Sequence, residues 1–328
     1  MASIELKDIS FCYPGSATPV IEALDLEVER GEAHALLGAS GSGKTTLLSL
    51  LSGLLRPTGG AIVFDGNEVT DLSPRERHVA QVFQFPVLYE RMSVIENITF
   101  AIREQSAQID ARVQHIVEAL GLGKISALRP GQLSLYQKQI CAVAKALANP
   151  EVSLILLDEP LTSVEPAAKA RLREVLTAAQ NEFATTMIYV THDQTEALTF
   201  AQRVSVITEQ GILQTAPPDE IYNQPAHEYV GYFVGSPGMN FVTREGERVG
   251  FRPEWCHLHA TSGIAVEVTT CRFEGTRAGR AHGLVELSSA SGPLFYRGPI
   301  DAVKTGTQTR LGIDRGLRYR DARMVGVL

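Results

Sequence analysis

Cysteine is scarce in this sequence: Cys12, Cys141, Cys256 and Cys271 are the only four in 328 residues, and no two form a C-x-x-C pair. Such spacing predicts neither a disulfide framework nor a zinc ribbon, and the four read as free thiols in a reducing cytosol. Long apolar runs are missing too. Nowhere do eighteen apolar residues follow one another, which excludes a membrane-spanning helix. Met1 to Lys7 lack a basic region followed by an apolar run, so no secretory leader is expected. Nor is there an excess of positive charge: the formal net charge is −7, which argues against a general nucleic-acid binder. Sustained heptads are absent, which removes a long coiled coil. With 44% hydrophobic and 20% charged residues, what is left is the composition of a soluble protein, long enough for more than one domain.

Against these absences one stretch is rich in information. Gly38-Ala39-Ser40-Gly41-Ser42-Gly43-Lys44-Thr45 fits G-x-x-x-x-G-K-[ST], the phosphate-binding P-loop. Its glycines let successive backbone N–H groups turn inward toward phosphate oxygens. Lys44 adds a positive charge near the β- and γ-phosphates, and Thr45 offers a hydroxyl to Mg²⁺. The helix that opens near Lys44 and continues through Thr46 presents its positive N-terminal end to the anion. The flanks suit this: Ala33 to Leu37 reads as a buried strand and Thr46 to Leu51 as a helix. The chain is therefore expected to bind a nucleoside triphosphate.

Other strand ends carry chemistry as well. Ile4 to Phe11 and Ile21 to Val28 alternate apolar and polar residues, as half-buried strands do. Tyr13, after the first of them, can stack on a purine, although an aromatic at a strand end is more often edge packing. Asp65-Gly66 signals a hairpin. Val82 and Phe83 read as the end of a buried strand. Gln84 follows where that strand opens into a loop, within reach of Mg²⁺ or an attacking water, although a loop glutamine is ordinarily solvated surface. Helical spacing runs from Ser93 to Arg103, with Ser93 and Glu96 spaced as a capping box, and again from Asp110 to Leu120. A long helix opens at Leu133 and stops at Ala148 before Asn149-Pro150. Leu154 to Leu157 is a buried strand ending in Asp158-Glu159. Ligands sit at such ends in parallel sheets, and neighbouring strand residues point to opposite sides. Asp158 is assigned to the metal and Glu159 to polarising the attacking water. Pro166 to Phe183 is a helix. The strand Thr186 to Thr191 ends in His192, placed to donate to the γ-phosphate, although a lone histidine is more often a bystander. With Arg203 to Ile207 as a further strand, the alternation argues a mostly parallel sheet covered on both faces.

Together these ordered motifs resemble the ATP-binding subunits of ABC transporters. The resemblance implies an α/β fold: a P-loop ABC ATPase domain with a helical subdomain over residues 1–240, then a small all-β OB-like barrel of the TOBE type over 241–328. The short strands and Gly-rich turns beyond Phe241 fit such a barrel. It implies that Gln84 forms the Q-loop, Leu133 to Gln137 the signature, Leu154 to Glu159 the Walker B strand, and Leu161 to Glu165 the D-loop. His192 becomes the switch histidine and Tyr13 the adenine-stacking aromatic. Lys44, Glu159 and His192 would be catalytic. Tyr13, Gly38 to Thr46 and Gln84 would bind the nucleotide, and Thr45, Gln84 and Asp158 the metal, with ATP and Mg²⁺ as cofactors. Gly235 to Phe241 and Gly250 to Glu254 are similar to segments of carbohydrate and polyol importers. Such a subunit is an ATPase held peripherally at the cytoplasmic face of the inner membrane. Its partners are integral-membrane permeases and a solute-binding protein, with no nucleic acid.

The departures are informative. Leu135 and Tyr136 stand between Ser134 and Gln137, where the family signature Leu-Ser-Gly-Gly-Gln has two glycines; Ile140 replaces the usual arginine, and Glu165 the D-loop aspartate. Glycine lets backbone N–H groups approach a phosphate closely, and bulky side chains obstruct that approach. In this family ATP lies between one subunit's P-loop and the other's signature. A heterodimer with a second ATPase carrying an intact signature is therefore expected. The Val82 to Val87 loop, Gln137-Lys138-Gln139 and Gly231-Tyr232-Phe233 are most similar to the second ATPase of glycerol importers. That implies glycerol as the solute. Glycerol 3-phosphate or a sugar is the alternative, and a soluble non-transport ABC ATPase a remote one.

Overall fold

The computed structural model describes residues 2–328 apart from 17, 101, 103–105, 245 and 302. It divides into two compact units, residues 1–218 and 219–328. The first begins with β1 (Ile4–Phe11), β2 (Ile21–Val28), β3 (Ala33–Leu37), α1 (Lys44–Ser52), β4 (Gly59–Phe64), β5 (Asn67–Glu68) and β6 (Val79–Val82). The helices α2 (Val94–Thr99), α3 (Ala107–Ala119) and α4 (Leu135–Ala148) follow. Then β7 (Leu154–Asp158), α5 (Pro166–Phe183), β8 (Met187–Thr191), α6 (Gln194–Phe200), β9 (Arg203–Thr208) and β10 (Gly211–Ala216) complete it.

Two sheets result. One has the order β10-β9-β3-β8-β7-β6, parallel except for β10 at its edge. The apolar runs of β3 and β8 are buried at every residue, as strands covered on both faces must be. The other sheet, β2-β1-β4-β5, is antiparallel. Sequence alternation predicts β1 and β2 of this second sheet but not their separation from the first. Leu47, Leu48, Leu50 and Leu51 of α1 share one core with Ile4 and Leu24 of the antiparallel sheet and Leu156 and Ile188 of the parallel one. The buried guanidinium of Arg77 donates to the carbonyls of Leu50 (2.6 Å) and Leu51 (3.0 Å), capping the last turn of α1. The P-loop helix is thereby fixed at both its apolar face and its C-terminal end.

Several boundaries move for identifiable reasons. The Ser93–Glu96 capping box forms as its spacing predicts, but α2 ends at Thr99, and Arg103 lies outside the described residues. The helix expected from Leu133 starts at Leu135, because Ser134 is its N-cap. The strand expected to include Phe83 stops at Val82. The Phe83 carbonyl leaves the ladder to accept from Gln139 Nε2 (3.1 Å), and its ring is 39% exposed.

In the second unit α7 (Pro218–Asn223) and α8 (Glu228–Phe233) precede an OB-like barrel. Its strands are β11 (Asn240–Arg244), β12 (Glu247–Phe251), β13 (Cys256–Leu258), β14 (Ile264–Arg277), β15 (Arg280–Ser289), β16 (Gly292–Pro299), β17 (Gln308–Ile313), β18 (Leu317–Arg320) and β19 (Arg323–Val327). They form two antiparallel sheets, β11-β12-β18-β19 and β13-β17-β14-β15-β16. Val249 and Phe251 of one sheet share a core with Val268, Val285 and Leu311 of the other. The sequence reading closes the ATPase domain at 240, whereas by packing the units part between Pro218 and Asp219. Arg252 supplies the reason. Fully buried, it donates to the carbonyls of Tyr222 (2.7 and 3.1 Å), Gly231 (3.0 Å) and Val234, and lies 4.1 Å over the Tyr222 ring. Gly235 sits at φ +111°, and a Cβ there would meet Arg252 Nη1 at 2.8 Å. The segment between 219 and 235 is thus drawn onto the barrel by Arg252, with Tyr319 Oη donating to the Pro225 carbonyl (2.9 Å) and Arg315 to that of Asn223 (3.1 Å). Among the described residues no helix is long and apolar enough to cross a membrane.

Candidate active site

The strands β3, β7 and β8 run in the same direction, so the segments after them reach one edge of the sheet. These segments are the loop Gly38–Gly43, the pair Asp158-Glu159, and His192. In the loop, Gly41 and Gly43 take left-handed φ values of 86° and 90°. A Cβ on Gly38 would lie 2.4 Å from the Ile207 carbonyl, so only glycine fits there. Ala39, Ser40 and Gly41 are exposed at the tip, while Ser42, Lys44 and Thr46 are buried. Lys44 Nζ donates to the carbonyls of Gly38 (2.8 Å) and Ala39 (2.7 Å) and to Ser42 Oγ (3.3 Å). Burial pushes its pKa down, opposed in part by the negative charges of Glu159 and Asp158. The helices α2, α4 and α6 are capped by Ser93, Ser134 and Asp193, but α1 has neither a capping side chain nor an acidic residue in its first turn. Its leading N–H donors therefore suit an anionic ligand.

Asp158 ends β7. Burial pushes its pKa up, the neighbouring Glu159 adds to this, and Lys44 opposes it. Glu159 is aimed by a left-handed turn at φ 44° rather than by simple strand alternation. One carboxylate oxygen lies 3.0 Å from His192 Nδ1, and the other accepts from Thr162 Oγ1 at 3.0 Å. Burial would raise the Glu159 pKa, but the hydrogen bonds from His192 and Thr162, with the charges of His192 and Lys44, bring it below the ordinary carboxylate value. With Nδ1 directed at that carboxylate, Nε2 is the ring nitrogen left to face a ligand.

Two supporting residues escape a reading of the sequence. Thr162 is visible only as a hydroxyl three residues beyond Glu159. Glu196 is buried and accepts from Tyr189 Oη (3.0 Å) and Thr191 Oγ1 (2.8 Å), with Lys169 Nζ 3.5 Å away. It secures the strand end from which His192 projects. The available signal was its placement four residues after His192, at the start of a helix.

The remaining predicted residues are placed as follows. Tyr13 is partly exposed, packs edge-on against Phe11 at 4.9 Å, and its Oη lies 3.1 Å from Thr46 Oγ1, which brings it beside the first turn of α1. Edge packing and a place at the P-loop thus coexist. Thr45 is exposed in the same turn. Gln84 is half-buried, with its carbonyl accepting from Gln139 Nε2 at 3.0 Å. The signature residues lie elsewhere. Ser134, Leu135 and Tyr136 line a cleft of about 310 Å³ with Val164, Glu165, Ala168 and Arg171, and Arg171 lies 5.7 Å over the Tyr136 ring. The Ser134 hydroxyl accepts from the Gln137 N–H (3.2 Å), and Gln137 Oε1 accepts from the Ser134 N–H (2.9 Å), so both are engaged in capping α4. Glu165 stands at the N-cap of α5 without a capping bond, and Ile140 is buried.

The sequence matches the ABC transporter family model over residues 21–162. It is 40% identical over 312 residues to the sn-glycerol-3-phosphate import ATP-binding protein UgpC of Cereibacter sphaeroides, covering 86% of this chain and 87% of that one. The chain belongs to the ABC transporter ATP-binding proteins. UgpC of Yersinia enterocolitica is 36% identical over 81% of this chain and 78% of its own length. The sulfoquinovosyl glycerol transport ATP-binding protein SmoE of Agrobacterium fabrum is 37% identical over 76% and 71%. Among solved structures, cbiO1 of Clostridium perfringens, part of the ABC transporter complex cbiONQ, superposes with a TM-score of 0.62 at 26% identity, over 67% of this chain and 90% of that one. Members of this family are ATPases coupled to transport.

After Gln84 comes a stretch with exposed apolar side chains at Phe85, Val87, Tyr89 and Phe100. The Tyr89 and Phe100 rings are 4.4 Å apart, with Lys145 Nζ 4.7 Å over Tyr89. The loop bearing Tyr89 is cinched by the buried amide of Asn97, which accepts from the Tyr89 N–H (2.7 Å) and donates to the carbonyls of Tyr89, Met92 and Ser93.

Proposed function

We propose that this chain hydrolyses ATP to drive the import of a small solute containing a glycerol unit, glycerol itself or glycerol 3-phosphate, as half of an ATPase heterodimer. The observation that carries the hydrolytic part is the 3.0 Å contact between Glu159 and His192 at the sheet edge shared with Lys44. Lys44 exchanges its loop carbonyls for phosphate oxygens. Glu159, kept ionised, takes the proton from the attacking water, and His192 orients that carboxylate. The oxygen donors Thr45, Gln84 and Asp158 suit Mg²⁺, which keeps few protein ligands and takes the rest from phosphate and water. When bound, Mg²⁺ offsets charge on the transferred phosphoryl group.

Support for the solute class comes from relatives named for glycerol 3-phosphate and sulfoquinovosyl glycerol transport, together with the likeness to glycerol-importer ATPases. Support for a heterodimer comes from Leu135 and Tyr136, whose side chains occupy the first turn of α4 where the family has glycine. The permeases, the solute-binding protein and a place at the cytoplasmic face of the inner membrane follow from the same reading.

Purification in detergent through a tag on this chain tests it. A permease pair and a second, different ATPase should copurify, and ATP turnover should rise when the two ATPases are mixed. Full transporter turnover by a homodimer of this chain would refute the pairing. Uptake of labelled glycerol against labelled glycerol 3-phosphate in a strain lacking the gene separates the solutes. The apolar strip is assigned to the permease contact. Tyr89→Asp is therefore expected to reduce transport about tenfold or more, as loss of an aromatic contact residue does, with ATP affinity within about twofold of the parent. Equal losses in uptake and ATP binding would remove that assignment.

A further inference from the structure

Gln139 stands on the second turn of α4, and its side chain is 1% exposed. Its Nε2 donates to the carbonyls of Phe83 (3.1 Å) and Gln84 (3.0 Å), 56 and 55 residues away in sequence. Two acceptors on one side fix which end of the amide is nitrogen, since the flipped amide would set an oxygen against two oxygens. Its Oε1 is buried with no protein partner among the described residues. A buried amide left half-satisfied is unfavourable for stability alone, so its value has to be sought in what the other half holds. That half holds the two residues at which β6 gives way to the loop bearing Gln84. The same helix begins with the glycine-free signature, whose Ser134 and Gln137 are engaged in capping it.

We infer that Gln139 is a positioning residue for Gln84: it ties the loop backbone to α4, so that the γ-phosphate-sensing loop and the signature helix move as one body. The inference rests on the proposed role of Gln84 near the metal and water. It gives α4 a mechanical task in this chain that does not require an intact signature. Rigid attachment of the loop also links the active-site edge to Phe85 and Val87, the residues that follow Gln84 in sequence.

The test is a double-mutant cycle on the complex purified through a tag on this chain, reading ATP turnover, ATP affinity and melting temperature. Gln139→Met keeps the length and removes both donors; Gln139→Glu, of the same shape, replaces it if the methionine variant does not fold. Turnover should fall about tenfold, the equivalent of one or two net hydrogen bonds, with ATP affinity within about twofold of the parent. In a Gln84→Ala background the same substitution should have no further effect, because no side chain remains to be misplaced. Effects that simply multiply would make Gln139 a structural residue and overturn the inference. Parental turnover in Gln139→Met would do the same. Parental turnover in Gln84→Ala alone would instead refute the sensor role on which the inference rests.

Discussion

Glu159→Gln is expected to lower ATP turnover by about 100- to 10,000-fold, the range lost with a general base, while ATP stays bound. The substitution preserves shape at a residue already held in a left-handed turn. The amide oxygen can still accept from Thr162 or His192, which lie 3.0 Å from the two carboxylate oxygens. What disappears is the anionic acceptor that Lys44, Thr162 and His192 keep ionised. Lys44 and the uncapped start of α1, the proposed phosphate contacts, are untouched. Single-turnover hydrolysis and retention of labelled ATP on the assembled complex measure both halves. Near-parental turnover would show that Glu159 is not the base, and loss of ATP retention would show that it helps bind.

Arg252→Met is expected to destabilise the second unit by about 3 kcal/mol or more. The substitution leaves the carbonyls of Tyr222 and Val234 without their donor, while that of Gly231 keeps only the Met239 N–H (2.9 Å), and each buried acceptor so orphaned costs about 1–3 kcal/mol. Two compact units make a single global transition unsafe to assume, but the chain offers a local probe. Trp255 is its only tryptophan, lies in the second unit and stacks 4.2 Å from the Arg315 guanidinium. The urea midpoint followed by Trp255 fluorescence should fall, while ATP binding by the first unit is kept. An unchanged midpoint would mean that Arg252 is dispensable to that packing.

Much of the fold was legible because particular residues speak locally. Pro166 and the apolar spacing after it fix α5, which spans Pro166–Phe183 as read. The buried runs of β3, β7 and β8 announce a parallel core, and each leads into the candidate site. Less legible was anything decided by distant contacts. Nothing near Phe83 reveals that its carbonyl belongs to Gln139, so the sequence alone extends the strand one residue too far. Alternation in β1 and β2 marks strands without saying which sheet receives them. The turn at Glu159 is invisible too, since glutamate carries no left-handed signature of the kind glycine does. Thr162 and Glu196 support the site through packing that only the folded chain creates.

The strip formed by Phe85, Val87, Tyr89 and Phe100 bears on how the isolated chain will behave in solution. Removed from its neighbours, such a surface favours self-association, and two copies can adhere through it with no nucleotide between them. An apparent homodimer on a sizing column would then say nothing about the signature. Only a dimer that appears with ATP and dissolves when ATP is removed would bear on it.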